Sequence, residues 1–242
     1  MEAIKIENLT KKYKDTVAVD NLSLTVLKGE LFSLLGVNGA GKTTTIKMLS
    51  CITSADGGDA LLNGFSILKD TAKVKEIIAT SPQETAVAPN LTVRENLELI
   101  CGIHGFSKDD TKEKTENQIK LLNLDSVIGK KAGKLSGGYK RRLSIAMALI
   151  SNPQILFLDE PTLGLDVLAR ADLWDIIRNL KGKITIVLTT HYMEEAEALS
   201  DRIAIMKDGR LLICDTAKKI KEIANTDNFE QAFVRVVRGE TV

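Results

Sequence analysis

The sequence predicts an α/β fold: a mostly parallel sheet with flanking helices, plus an N-terminal antiparallel β subdomain and an inserted α-helical lobe. Three observations carry this. Leu31-Phe32-Ser33-Leu34-Leu35, Ile155-Leu156-Phe157-Leu158 and Ile184-Thr185-Ile186-Val187-Leu188 are short runs dominated by apolar residues, the pattern of strands buried on both faces. A helical pattern over 168–180 separates the last two, and strand, helix, strand with apolar strands implies a parallel sheet. Residues 89–150 carry helical patterns and no evident strand, so they form a helical insertion in an α/β body.

Each element follows in chain order. Residues 3–35 are β-rich: Leu22, Leu24 and Val26 alternate with Ser23, Thr25 and Leu27, and Lys28-Gly29-Glu30 is a turn. A Gly-rich loop over 36–41 leads into helical character over 44–50. Pro89-Asn90 breaks the chain, and Thr92 with Glu95 forms a capping box that opens a helix running through Leu99. A second helical pattern covers 113–122 inside a charged stretch, read as a solvated helix face. The apolar runs 202–206 and 211–214 flank Lys207-Asp208-Gly209-Arg210, a strong hairpin signal. Residues 217–239 suggest a short helix and a small appendage. The expected organisation is one domain over 1–242, with its body in 1–88 and 151–215, the lobe in 89–150 and the appendage in 216–242.

Composition narrows the function. A chain of 242 residues can bury a full core. Its 33 Lys and Arg against 32 Asp and Glu leave a net charge of +1, and aromatics are 4%. That removes the electrostatic footprint of a dedicated nucleic-acid binder, local patches aside, and weakens a base-stacking surface, while leaving room for a small polyanion held at one local site. Cys51, Cys101 and Cys214 are odd in number and widely spaced, which argues against a disulfide framework or a zinc site. They are expected to be buried thiols in a reducing compartment. No signal-length or membrane-spanning apolar run occurs, so a cytoplasmic chain is expected, working at a membrane only through a partner.

Gly36-Val37-Asn38-Gly39-Ala40-Gly41-Lys42-Thr43 matches GxxxxGK[ST] between a buried strand and a helix. Its glycines let backbone N–H groups converge on an anion, and the following helix adds its positive end. Lys42 is placed for the β- and γ-phosphates and the Thr43 hydroxyl for Mg²⁺. Gly36, Asn38, Gly39, Ala40, Gly41 and Thr44 complete the cradle. Asp159 and Glu160 end the second buried strand: Asp159 would hold Mg²⁺, and Glu160 would orient or deprotonate the attacking water. Together these define a P-loop NTPase core and leave the class of NTPase open.

Leu135-Ser136-Gly137-Gly138-Tyr139, 23 residues before Asp159, narrows the class. Ser136 and two glycines open a second helix, a second anion-binding N-terminus. Here the chain resembles the ATP-binding cassette family, the nucleotide-binding subunits of ABC transporters, whose LSGGQ signature matches at Leu135 to Gly138. The resemblance covers residues 2–215. It implies that Tyr13 stacks on adenine and that Gln83 touches Mg²⁺ and the attacking water. It also implies that Asp166, in Gly164-Leu165-Asp166, speaks to the opposite subunit and that His191 contacts the γ-phosphate. ATP would join two cassettes, the chain and a second copy or a homologue, with Ser136, Gly137 and Gly138 of one closing on the phosphate loop of the other. Hydrolysis would then reopen the dimer.

A separate transmembrane permease would dock near 86–90 and the lobe helices, holding the chain at the inner face of the membrane. Tyr139 stands where many members have Gln. The Tyr139-Lys140-Arg141-Arg142 continuation and the segment 228–233 are similar to cassettes of drug, antibiotic and lipid exporters. On the residues alone, Lys140 to Arg142 equally suit a basic helix face. Two other readings stay open, a non-transport cassette ATPase and a module that binds ATP without hydrolysis. The short span from Gly41 to Ser136, without sustained heptads, weighs against the first. Intact Glu160 and His191 weigh against the second.

Overall fold

The computed structural model describes residues 1–240. The chain begins with a long hairpin, β1 (Glu2–Tyr13) and β2 (Thr16–Leu27), followed by the short β3 (Leu31–Leu35), the phosphate loop and α1 (Lys42–Leu49). β4 (Gly57–Leu62), β5 (Phe65–Ser66), α2 (Thr71–Ile77) and β6 (Ile78–Ser81) come next. The lobe contributes α3 (Val93–Ile103), α4 (Lys108–Leu121) and α5 (Gly137–Leu149). Then follow β7 (Ile155–Asp159), α6 (Val167–Leu180), β8 (Thr185–Thr190), α7 (Met193–Leu199), β9 (Arg202–Lys207) and β10 (Arg210–Asp215). Helices α8 (Ala217–Ile223) and α9 (Phe229–Arg238) complete the described chain. The last two residues of the expected appendage, 241 and 242, lie outside the described residues.

Two sheets form. One is antiparallel, in the order β2-β1-β4-β5, and the other runs β10-β9-β3-β8-β7-β6. In the larger sheet β9, β3, β8, β7 and β6 are parallel, and only the edge strand β10 is antiparallel. The apolar runs are therefore its central strands, and every residue of β3, β7 and β8 is buried. Alternate residues serve two cores. Leu31, Leu156, Leu158, Ile186 and Leu188 face the lobe and α6. Phe32, Leu34, Phe157, Val187 and Met206 face α1 and the antiparallel sheet. A third cluster seats Ile220, Phe229 and Phe233 of the last two helices against Ile203 and Ile205 of β9.

The lobe is the connection between β6 and β7, which are neighbours and parallel. Such a pair needs a crossover, and here the crossover has grown into three helices. Thr92 caps α3, with the reciprocal Glu95 bond that makes the capping box complete.

One expectation needs correction, and one open alternative is decided. Only Cys101 is buried; Cys51 and Cys214 are half-buried, and all three are free. Cys51 sits just past α1 in a left-handed turn at φ 56°, and Cys214 lies on the edge strand. The run Lys140 to Arg142 is not a solvated basic face, since Arg141 and Arg142 are buried. Arg142 pairs with Asp172 at 2.6 Å, and Arg141 turns toward the C-terminal ends of β6 and β7.

Candidate nucleotide site

A ligand in an open parallel sheet sits beyond the C-terminal ends of the strands. Here β3 runs into Gly36, β6 toward Gln83, β7 into Glu160, β8 into His191 and β9 into Asp208. Asn38 to Thr44, Gln83, Glu160, His191 and Asp208 line one cleft of about 790 Å³, a size that suits a small molecule.

The loop requires glycine at two points. A Cβ on Gly36 would lie 2.5 Å from the Met206 carbonyl oxygen. Gly41 has φ 99°, and a Cβ there would lie 2.5 Å from the Ala18 carbonyl oxygen. The β9–β10 turn buttresses the loop, with Gly209 N donating to Ala40 O at 3.2 Å. Lys42 folds back into the loop, and its Nζ donates to the carbonyls of Gly36 (2.7 Å) and Val37 (3.2 Å). Burial pulls its pKa below the usual lysine value, and the Glu160 carboxylate opposes this.

The two carboxylates are held differently. Asp159 Oδ1 accepts from Thr43 Oγ1 at 3.1 Å and from Thr189 Oγ1 at 2.5 Å. The Thr189 hydroxyl also accepts from Glu160 N at 3.0 Å. Glu160 has φ 48°, a left-handed conformation that costs a non-glycine residue about 1 kcal/mol or more. Its carboxylate is nonetheless anchored on both sides. Oε2 lies 2.7 Å from His191 Nδ1 and Oε1 lies 3.6 Å from Lys42 Nζ. Thr43 and Asp159 offer hard oxygen donors within hydrogen-bond distance of each other, a pair that fits Mg²⁺.

Other expected residues stand apart. Tyr13, nearly half exposed, ends β1 and does not line the cleft. Thr16, Val17 and Ala18, at the start of β2, line it instead. Ser136, Gly137, Gly138 and Asp166 are also outside its lining. Ser136 caps α5 and Asp166 caps α6, with Asp166 Oδ1 accepting from Ala169 N at 2.8 Å. A Cβ on Gly138 would lie 3.0 Å from Ala169 Cβ, so the two helix starts lie side by side. Tyr139 turns its hydroxyl to Ser126 at 3.1 Å.

Asp208 and Leu163 also line the cleft, and Thr189 and Arg141 hold its carboxylate-bearing and glutamine-bearing loops. Asp208 was legible only as a turn residue, although its place at a strand end marks it. Thr189 sits inside an apolar strand, where threonine is ordinary. Arg141 Nη1 donates to Pro82 O and Nη2 to Gln83 O, both at 2.6 Å, and Nη2 lies 3.4 Å from Glu160 O.

The ABC transporter family model matches residues 19–163, more than half of the chain. The chain belongs to the ABC transporter family. This cassette is 46% identical over 226 residues to human ATP-binding cassette sub-family A member 2, covering 91% of the chain and 9% of that protein. It thus spans about a tenth of that relative's length. It is 43% identical over 209 residues to Nod factor export ATP-binding protein I of Burkholderia pseudomallei (strain 1710b), covering 86% of the chain and 68% of the relative. Among solved structures it is similar to a dimeric ATP-binding cassette in a post-hydrolysis state bound to ADP and Pi. That likeness has a TM-score of 0.78 and 27% identity, and it covers 88% of this chain and 98% of the other. Among the described residues no helix is long and apolar enough to cross a membrane.

Proposed function

We propose that this cassette binds and hydrolyses ATP and, through ATP-driven dimerisation, powers export by a separate membrane subunit. The observation that carries the reading is the convergence of Lys42, Glu160 and His191 at the mouth of the phosphate loop. The loop N–H groups from Gly39 to Thr43 and the start of α1 hold the phosphates, and Lys42 adds a cation. Val17 lines the cleft near the β1–β2 end and, with Tyr13 beside it, is the ground for adenine. Glu160 is the base that positions the attacking water, and His191 Nδ1 holds its carboxylate in place. Thr43 and Asp159, with Gln83 at the same cleft, are the residues that would hold Mg²⁺, which when bound would supply charge neutralisation for the phosphates.

Ser136 and Asp166 cap helix starts outside the cleft of the chain's own phosphate loop, with Gly137 and Gly138 opening the first, which suits a site completed by a partner cassette. The partner is a second copy or a homologue. The permease docks on the lobe helices and the segment 86–90, which puts the cassette at the cytoplasmic face of the membrane. The name of the Nod factor export relative supports the outward direction.

Phosphate release from the purified chain, compared with Glu160→Gln, tests the reading. The variant should keep nucleotide affinity and lose turnover by about 10²-fold or more. Turnover at the wild-type rate in Glu160→Gln would overturn the assignment.

A further inference from the structure

Arg141 is a cation 4% exposed, and no carboxylate lies within salt-bridge distance of it among the described residues. Its hydrogen-bond partners are three main-chain carbonyls. Two belong to consecutive residues, Pro82 and Gln83, beyond the C-terminal end of β6, and the third to Glu160, just past β7. Burial pulls its pKa down, while the fields of Asp159 and Glu195 oppose this. Guanidinium stays charged under such conditions, so one buried charge faces the acidic end of the sheet. A planar fork can hold two adjacent carbonyls at once, which an ammonium cannot do with the same geometry.

The placement gives the contact its consequence. Arg141 lies on α5, five residues after Ser136, about one and a half helical turns from the capped start. One side chain therefore ties this helix to two of the loops that carry cleft residues, those of Gln83 and Glu160.

We propose that Arg141 is a positioning residue that clamps the loops carrying Gln83 and Glu160 to the helix starting at Ser136, so that nucleotide-driven movement of either loop is transmitted to that helix. This rests on the proposed ATPase reading for its catalytic consequence, though not for its mechanical one. The clamp acts through the main chain, so it sets where Gln83 and Glu160 stand without touching nucleotide. It also accounts for arginine at a site where a solvated helix face would have left the side chain outside.

Arg141→Lys and Arg141→Gln test the clamp. Lysine keeps the charge and most of the volume and loses the fork, so it reports even if the glutamine variant folds poorly. Both variants should bind a fluorescent ATP analogue within about twofold of wild type and lose kcat by about tenfold, the scale of a small misplacement of catalytic groups. KM for ATP should barely move. Amide exchange gives the second readout. In the wild-type chain, ATP should slow exchange in the phosphate loop and in 137–143 together. In either variant it should slow exchange in the phosphate loop only.

A wild-type kcat in Arg141→Lys, or nucleotide-dependent protection of 137–143 that survives in both variants, would overturn the proposal. So would an equal loss of affinity and kcat, which marks a purely structural role. If the wild-type chain releases no phosphate, the hydrolysis reading fails, and the exchange experiment still decides the clamp.

Discussion

Gly41 and Glu160 both adopt left-handed backbone, at φ 99° and φ 48°, for different physical reasons. At Gly41 the neighbouring Ala18 carbonyl leaves no room for a side chain, so Gly41→Ala combines φ strain with a clash. It should cost about 2 kcal/mol or more and abolish nucleotide binding, measured by calorimetric unfolding and ATP-analogue titration. Glu160 carries a side chain in that conformation because its carboxylate has partners on both sides and its N–H is held by Thr189. Thr189 is the less visible half of this arrangement, donating to Asp159 while accepting from the Glu160 amide. Thr189→Val keeps the shape and removes both bonds. It should lower stability by about 1–3 kcal/mol and lower kcat, with Thr189→Ser restoring most of both. Bulk refilled without recovery by serine would rule out the hydroxyl as the cause. The glycines were legible in the sequence because the motif defines a backbone shape. Thr189 was not, because a β-branched residue in a buried strand carries no mark of its hydroxyl's partners.

Helix α7 is joined to α6 by a buried polar contact, with Trp174 Nε1 donating to Glu195 Oε1 at 3.1 Å. Burial raises the Glu195 carboxyl above the usual value, Glu160's charge adds to this, and the nearby Thr190 and Thr162 and the Trp174 N–H oppose it. The folded state therefore holds this proton more tightly than the unfolded chain. The resulting stability is fully present below the unfolded pKa and is lost as pH rises from there through the raised folded value. Glu195→Gln cannot titrate, so its unfolding midpoint should fall less than wild type's as pH rises across that window. Parallel pH profiles of both proteins would refute the linkage.

Legibility at this scale follows pattern strength. Strands β3, β7 and β8 and the β9–β10 hairpin stood out because apolar runs and an Asp-Gly turn have few other readings. The stretch β4 to β6 did not. Gly57-Gly58-Asp59 opens one strand and Ile78-Ala79-Thr80-Ser81 forms another, and both are too short and mixed to show a period. Their strand state comes from pairing with β1 and β7, which the local sequence does not encode.

The whole molecule presents two kinds of surface around its nucleotide site. The cleft itself is built by one chain. Ser136, the exposed Val167 and Leu168 (76% and 78% exposed) and Asp166 lie at the paired starts of α5 and α6, outside that cleft. Exposed aliphatic side chains beside two helix N-termini suit burial against another molecule, and on the proposed reading that molecule is a second cassette carrying ATP. Balanced net charge fits that reading, in which the triphosphate is met by loop amides, Lys42 and a partner's helix end with no broad positive field. Glu160→Gln should trap the joined state, because nucleotide binds and is not consumed. Adding Ser136→Arg places a long cation where the partner's phosphates must approach and removes a cap worth about 1 kcal/mol, with little effect on the chain's own cleft. Sedimentation velocity with ATP should therefore show dimers for Glu160→Gln and monomers for the double variant, while both bind an ATP analogue equally in titration. Dimers of the double variant at the same ATP concentration would remove the shared site and leave each cleft complete within one chain.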